Sequence, residues 1–348
     1  MTNLQNTTFY TKIIELLQSS RNNIVRTVNH TMTTTYFEIG RMIVEQEQAG
    51  KNRAEYGKGL LKGLSQVLIN EFGRGFSVDN LENMRRFYLT YQNSETLSRI
   101  SDNANSETLS MKFQTLSKYF KLSWSHYLTL IRIDDESERE FYEIESEKNN
   151  WSVRELKRQY DSALYTRLSL SRDKAKVKEL STKGHVLTKP KDLIKDPYIL
   201  EFIGLPENSN YSENDLEQKL IDKLEHFLLE LGTGFTFVSR QNRISFDDKH
   251  FYIDLVFFNR ILKCFVLIDL KIGELKHQDI GQMQMYVNYY DRQVRLQDEN
   301  KTIGIILCQN KSEAVVEFTL PENNERIFAS KYKTVLPSKE DLELLIKE

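Results

Sequence analysis

Cysteine is almost missing from this chain. Of 348 residues only Cys264 and Cys308 are cysteines, and both fall in strand-like apolar runs. That excludes a disulfide framework and a zinc-thiolate site, and marks both thiols as core residues. The six histidines are scattered without ligand spacing. No apolar run nears the roughly 18 residues of a membrane span, and the start of the chain lacks the basic-then-apolar order of a signal peptide. A cytoplasmic protein of a bacterium, without membrane segments, is expected. An excess of either charge is missing as well. The formal net charge is −2, so affinity for nucleic acid would have to come from local patches. What remains is an ordinary globular composition, 28% charged and 39% hydrophobic, long enough for two domains.

The first half reads as helical. Apolar residues recur at helical spacing over 9–48 (Ile13, Ile14, Leu17, Ile24, Val28, Phe37, Ile43) and again over 56–72 (Leu60, Leu61, Leu64, Leu68). Gly73-Arg-Gly-Phe-Ser77 breaks the second helix, and Ser77 can cap a third reaching Tyr91, with Leu81, Met84 and Tyr88 inward. Helix, glycine turn, helix is helix-turn-helix-like, and Asn83 and Arg86 share the outer face with Asn80, side chains suited to base edges or phosphate. A solvated polar face on a packing helix explains them equally.

Residues 93–117 differ in kind. Asn93-Ser-Glu-Thr-Leu-Ser98 recurs as Asn105-Ser-Glu-Thr-Leu-Ser110 in a polar setting, the pattern of a duplicated surface insertion without chemistry. Beyond it, 134–148 reads as an acidic, solvated helix with Phe141 inward. Ser152 and Glu155 form a capping box for a helix carrying Arg154, Lys157 and Arg158. From Trp151 to Lys195 twelve Lys and Arg stand against five Asp and Glu, a stretch that could follow a phosphate backbone or be a solvated helix and linker. Lys189-Pro190 and Asp196-Pro197 place a boundary there. The expected division is a helical domain over 1–175, a linker over 176–196 and an α/β domain over 197–348.

The C-terminal part reads as one helix from Asn214 to Gly232, a strand over 235–244, two core strands, a helix over 276–291 and a strand over 302–309. The core strands organise the chain. Phe251–Asn259 and Cys264–Lys271 are dense in Phe, Val, Ile and Leu, as strands packed on both faces are. If a two- or four-residue loop is centred between Ile261 and Leu262, Arg260 pairs with Lys263 and Asp254 falls opposite Asp269. Alternation then sets Lys271 beside Asp269. Opposed carboxylates repel, and a hairpin tolerates them when a divalent cation lies between them. The bland alternative is a pair of buried acids balanced by Lys271 and an arginine.

Asp254, fourteen residues, then Asp269-Leu270-Lys271 resembles the PD-(D/E)XK nuclease core, with Ile253 where the pattern's name has proline. Gln282-Met-Gln-Met-Tyr286 resembles the Q-x-x-x-Y element of RecB-like nucleases. Gly40-Arg-Met-Ile-Val-Glu45, Glu71-Phe-Gly-Arg-Gly-Phe-Ser77 and Trp151-Ser-Val-Arg-Glu-Leu-Lys157 together make the whole similar to bacterial YhcG-type proteins. The resemblance implies a mixed sheet flanked by helices and a restriction-endonuclease-like core. It also implies an endonuclease cutting DNA with Mg²⁺ or Mn²⁺. Asp254, Asp269 and the Leu270 carbonyl would be ligands, with Glu217 favoured over Glu225 as a further one. Lys271 would be catalytic, and Gln282 and Tyr286 would hold Lys271 or a phosphate. The helical half is expected to bind nucleic acid or a protein partner, with self-association left open. A non-cleaving nucleic-acid binder and a protein-interaction module that keeps the nuclease fold are the competing readings.

Overall fold

The computed structural model describes residues 2–49, 53–92, 116, 119–170, 174–206, 211–246 and 249–336. The 93–117 insertion lies outside them, apart from the buried Leu116. Helices come first: α1 (Thr2–Ala49), α2 (Arg53–Phe72), α3 (Val78–Tyr91), α4 (Trp124–Leu130), α5 (Glu136–Lys148), α6 (Val153–Asp161), α7 (Leu164–Leu170) and α8 (Lys174–Lys183). Two units divide the chain, Met1–Lys157 and Arg158–Glu348.

In the first unit the Ser77 hydroxyl caps α3 by accepting from Asn80 N. Leu81, Met84 and Phe87 are wholly buried, while Tyr88, expected inward, is half-buried. The core is aromatic: Phe37, Phe87, Phe120 and Tyr127 pack edge-on or tilted at centroid distances between 4.9 and 5.5 Å. Gly40 of α1 lies against α3 so closely that a Cβ there would sit 2.1 Å from the Met84 carbonyl oxygen. α5 departs from expectation. It is no solvated acidic face, because Glu138 and Glu145 are buried. Glu143 accepts from the hydroxyls of Tyr127 at 2.7 Å and Tyr91 at 2.9 Å, and its burial is what raises its pKa. Partners of this kind let acidic residues turn inward.

The second unit is built on a mixed sheet. Its strands are β1 (Tyr198–Ile199), β2 (Phe235–Phe246), β3 (Lys249–Asn259), β4 (Cys264–Glu274), β5 (Ile303–Asn310) and β6 (Ile327–Lys333), in the order β1-β6-β5-β4-β3-β2. β2, β3 and β4 are antiparallel neighbours, and β4, β5, β6 and β1 run parallel. The flanking helices are α9 (Glu213–Asp222), α10 (Leu224–Leu231), α11 (His277–Tyr289) and α12 (Glu313–Thr319). Both sheet faces are covered. Leu216, Leu220 and Phe227 pack with Leu255, Phe257 and Ile268 on one side. Ile280, Met283 and Tyr286 pack with Val256, Leu267 and Ile306 on the other.

One expectation needs correcting here. The single helix over 214–232 is two, because Lys223 leaves helical geometry at φ −119°, ψ 31°. The 176–196 stretch, expected as a linker, lies within the second unit. It carries part of α8, and Leu187 and Leu193 join the core of the second unit.

Candidate active site

The β3–β4 loop has four residues, and the register is the one that loop dictates. Asn259 pairs with Cys264 and Leu255 with Ile268, which sets Asp254 opposite Asp269. The regular ladder stops one pair short of them. Leu270 N donates instead to Asp254 Oδ2 at 2.7 Å, so a carboxylate replaces a main-chain acceptor where the strands part.

β2 completes the row. By the register of its neighbours Gln241 lies opposite Asp254, and its φ is +46°, in the left-handed region. Gln241 Nε2 donates to Asp254 Oδ1 at 3.1 Å and also to Glu217 Oε2. Asp254 is thus held by both oxygens. Glu217, buried in α9, meets it through the shared amide. Among the described residues no three His, Cys, Asp or Glu side chains gather closely enough to hold an ion by themselves. The Gln241 amide bridges Glu217 and Asp254. Glu225 is exposed.

Asp269 is 1% exposed. Its Oδ2 lies 2.9 Å from Lys271 Nζ in an ion pair, yet it is buried without a directed hydrogen bond. Burial pushes the Asp269 carboxyl up to about 7, the Asp254 charge adds to that, and Lys271 opposes it. For Lys271, burial alone would lower the pKa. The carboxylates of Asp269, Glu213 and Asp254 outweigh it and hold the ammonium above its ordinary value. Glu213, at the start of α9, is 3.7 Å from Lys271 Nζ and accepts from Ile272 N at 3.2 Å. Burial raises Glu217 too, with Asp254 adding to it. The site holds more carboxylate than its one ammonium balances.

Gln282 and Tyr286 hydrogen-bond to each other and to β3 rather than to Lys271. Gln282 Nε2 donates to the Tyr286 hydroxyl, which donates to the Tyr252 carbonyl at 2.9 Å, so the pair ties α11 to β3 two residues before Asp254. Burial pushes Tyr286 up to about 12.

The basic candidates separate. Arg154 and Lys157 are exposed. Arg158 is not available to a phosphate: it pairs with Glu201 at 2.7 Å and Glu230 at 3.5 Å, and lies 5.3 Å over the Phe202 ring. In the first unit Asn83 is half-buried, and Arg86 is half-exposed with only a long contact of 3.8 Å to Asp134. Asn80 is occupied, donating to the Gly75 carbonyl and accepting from Trp124 Nε1. Sequence reasoning missed Gln241 and Glu213. Neither carries a signal, one being a polar residue in an alternating strand and the other an acid in a first helical turn.

Two family descriptions match the chain. Residues 191–347 match the YhcG PDDEXK nuclease domain, and residues 12–167 match the DUF1016 N-terminal domain. The chain is similar to a protein of Escherichia coli (strain K12) described as "Putative nuclease YhcG". The two are 42% identical over 341 residues, 95% of this chain and 90% of that one. A solved structure, a repair endonuclease from Pyrococcus abyssi, aligns at 15% identity over 37% of this chain and 50% of its own. Its TM-score of 0.27 is too low to carry an argument. No described helix is long and apolar enough to cross a membrane.

Proposed function

Because the chain belongs to the family of YhcG PDDEXK nuclease-domain proteins, we propose that it is a divalent-metal-dependent endonuclease that hydrolyses the DNA backbone. The observation that carries this reading is the convergence of Asp254, Asp269 and Lys271, with the buried Asp269 carboxylate facing Asp254 and ion-paired to Lys271. A buried carboxylate facing a second carboxylate, with one ammonium to balance them, suits a hard cation such as Mg²⁺ or Mn²⁺, which prefers oxygen and keeps several waters. Asp254, Asp269 and the Leu270 carbonyl would hold it. The chemistry such a cation supplies is a more acidic water and a neutralised scissile phosphate.

The residues do the rest. Asp254, fixed by Leu270 N and Gln241, keeps one carboxylate in place while Asp269 faces it from β4. Lys271 stays an ammonium, so it donates to the attacking water and offsets charge growing on the phosphoryl oxygens. It does not take the proton. Water oxygen bonds to phosphorus and gives up its proton to bulk water, the bridging P–O bond breaks, and the leaving oxygen takes a proton from bulk water.

Arg154 and Lys157 remain candidate phosphate contacts, and Asn83 and Arg86 candidate base contacts. A second reading of the helical half rests on exposed apolar side chains of α1, among them Leu16, Leu17 and Ile24. Such a row favours a protein partner, a second copy included. Nicking of plasmid DNA by the purified protein with Mn²⁺ tests the main reading. Activity that survives Lys271→Ala, or none in wild type, overturns it.

A further inference from the structure

The β2–β3 hairpin outruns the sheet. β4 pairs with β3 only as far as Leu255 and Ile268, whereas β2 and β3 stay paired out to Phe246 and Lys249. Beyond Gln241 and Asp254 the two strands therefore form an arm. Its inner face is apolar: Ile244 and Ile253 are buried, and Phe246 and Phe251 pack beside them. Its outer face leads away from the carboxylates. Arg243 pairs with Tyr252 in the first row, and Ser245 with His250 in the next. All four side chains are exposed. The rows are about 7 Å apart.

That face is equipped for an anion. Arg243 Nη2 lies 3.2 and 3.3 Å from the two ring nitrogens of His250, and Arg243 Nε lies 3.4 Å from Ser245 Oγ. Ser245 Oγ is 2.9 Å from His250 Nδ1. Among the described residues no carboxylate pairs with this guanidinium, whereas Arg326 has Asp291 and Arg158 has Glu201. A guanidinium, an imidazole and a hydroxyl held together without an acid are a donor set for phosphate oxygens. Beside them Tyr252 is 46% exposed. An aromatic ring left in water next to a cation is a platform for a base with no pairing partner. The Tyr286 hydroxyl fixes the Tyr252 carbonyl from behind, so the platform has a set height.

We propose that this face of the arm grips the substrate strand on one side of the scissile phosphate. Arg243 holds a backbone phosphate and Tyr252 stacks under a base, so the substrate is nucleic acid with an unpaired stretch beside the cut. The inference rests on the nuclease reading above.

The test is binding of a short fluorescent single-stranded DNA, and of its duplex, by the full chain in EDTA, with plasmid nicking measured in parallel. Arg243→Ala should weaken single-strand binding roughly tenfold and flatten the log–log salt slope by about 0.7. Tyr252→Ala should weaken it about five- to tenfold and leave the slope alone. Arg243→Lys should restore the slope and Tyr252→Phe the affinity, which separates contact from misfolding. Lys301→Ala, an exposed cation outside the arm, should change nothing. If wild type nicks DNA but the two alanine variants bind as it does, the arm assignment falls alone. Equal losses on single strand and duplex overturn the unpaired-base assignment. A wild type that neither binds nor nicks removes the nuclease reading and this inference together.

Discussion

The second unit buries two carboxylates almost completely, Glu230 at 0% exposure and Asp269 at 1%, and treats them in opposite ways. Around Glu230 the compensation is in excess. Arg167 Nη1 donates to it at 2.7 Å, Arg158 at 3.5 Å and Ile199 N at 3.1 Å, while Lys195 donates to its main-chain carbonyl. Burial pushes the Glu230 carboxyl up, yet Arg167, Lys195 and Arg158 overcome that and bring it down to about 2. Around Asp269 the balance is reversed. One ammonium serves Asp254, Asp269 and Glu213, and the Asp269 carboxyl rises to about 7. Both acids are dry, so depth does not distinguish them. The first is closed upon its own cations, and the second is left short of them.

That contrast can be broken in graded steps. The largest effect is expected on activity: Lys271→Ala should slow plasmid nicking by about 10²–10³-fold, whereas Glu230→Gln should leave the folded fraction as active as wild type. Stability should show the reverse. Urea unfolding should find Glu230→Gln less stable by about 3–5 kcal/mol, because two arginines lose their buried partner. Asp269→Asn in EDTA should be no less stable than wild type. Equal losses in both variants would erase the distinction between them.

Asp254→Asn is a poorer probe. Both Asp254 oxygens accept, and an asparagine amide would set a donor against Leu270 N or Gln241 Nε2. Metal sharpens the comparison. Mn²⁺ at a hundred times its Kd should stabilise wild type by about 2.7 kcal/mol and leave Asp269→Asn unmoved in a thermal melt.

Acid should act through Glu230. Its pKa falls from 4.5 to about 2 on folding, so between those values the unfolded chain binds more protons. Stability contributed by Glu230 is therefore complete above pH 4.5 and is lost as pH falls towards 2, up to about 3 kcal/mol. Denaturation titrations of Glu230→Gln should lack that part of the slope. The smallest effect belongs to Tyr286→Phe, which forfeits the hydrogen bond to the Tyr252 carbonyl and the one from Gln282 Nε2. A loss of about 1 kcal/mol is expected, with nicking reduced only modestly.

The core hairpin was legible because its signals are local. Apolar strands flank a short loop, alternation is strict there, and one loop length fixes which residues face each other. The breaks were not legible. Lys223 interrupts a helix with neither glycine nor proline, and Gln241 takes a left-handed φ where nothing in its chemistry demands one. Arg158 looked like its neighbours Arg154 and Lys157, and only its tertiary partners, Glu201 and Glu230, remove it from the surface set. β6 and α12 went unread, their sequences being short and mixed in polarity.

Gly40 makes α1 a lever. A side chain at that position would have to push the α3 backbone away, and Ile43 and Val44, buried one turn further on, would serve as the pivot. The arm from Gly40 back to Thr2 is about 57 Å long at 1.5 Å per residue, against a short arm of about 5 Å. A displacement of about 1 Å at the contact would then swing the far end by on the order of 10 Å. A single missing methyl group thus sets where a 48-residue helix points.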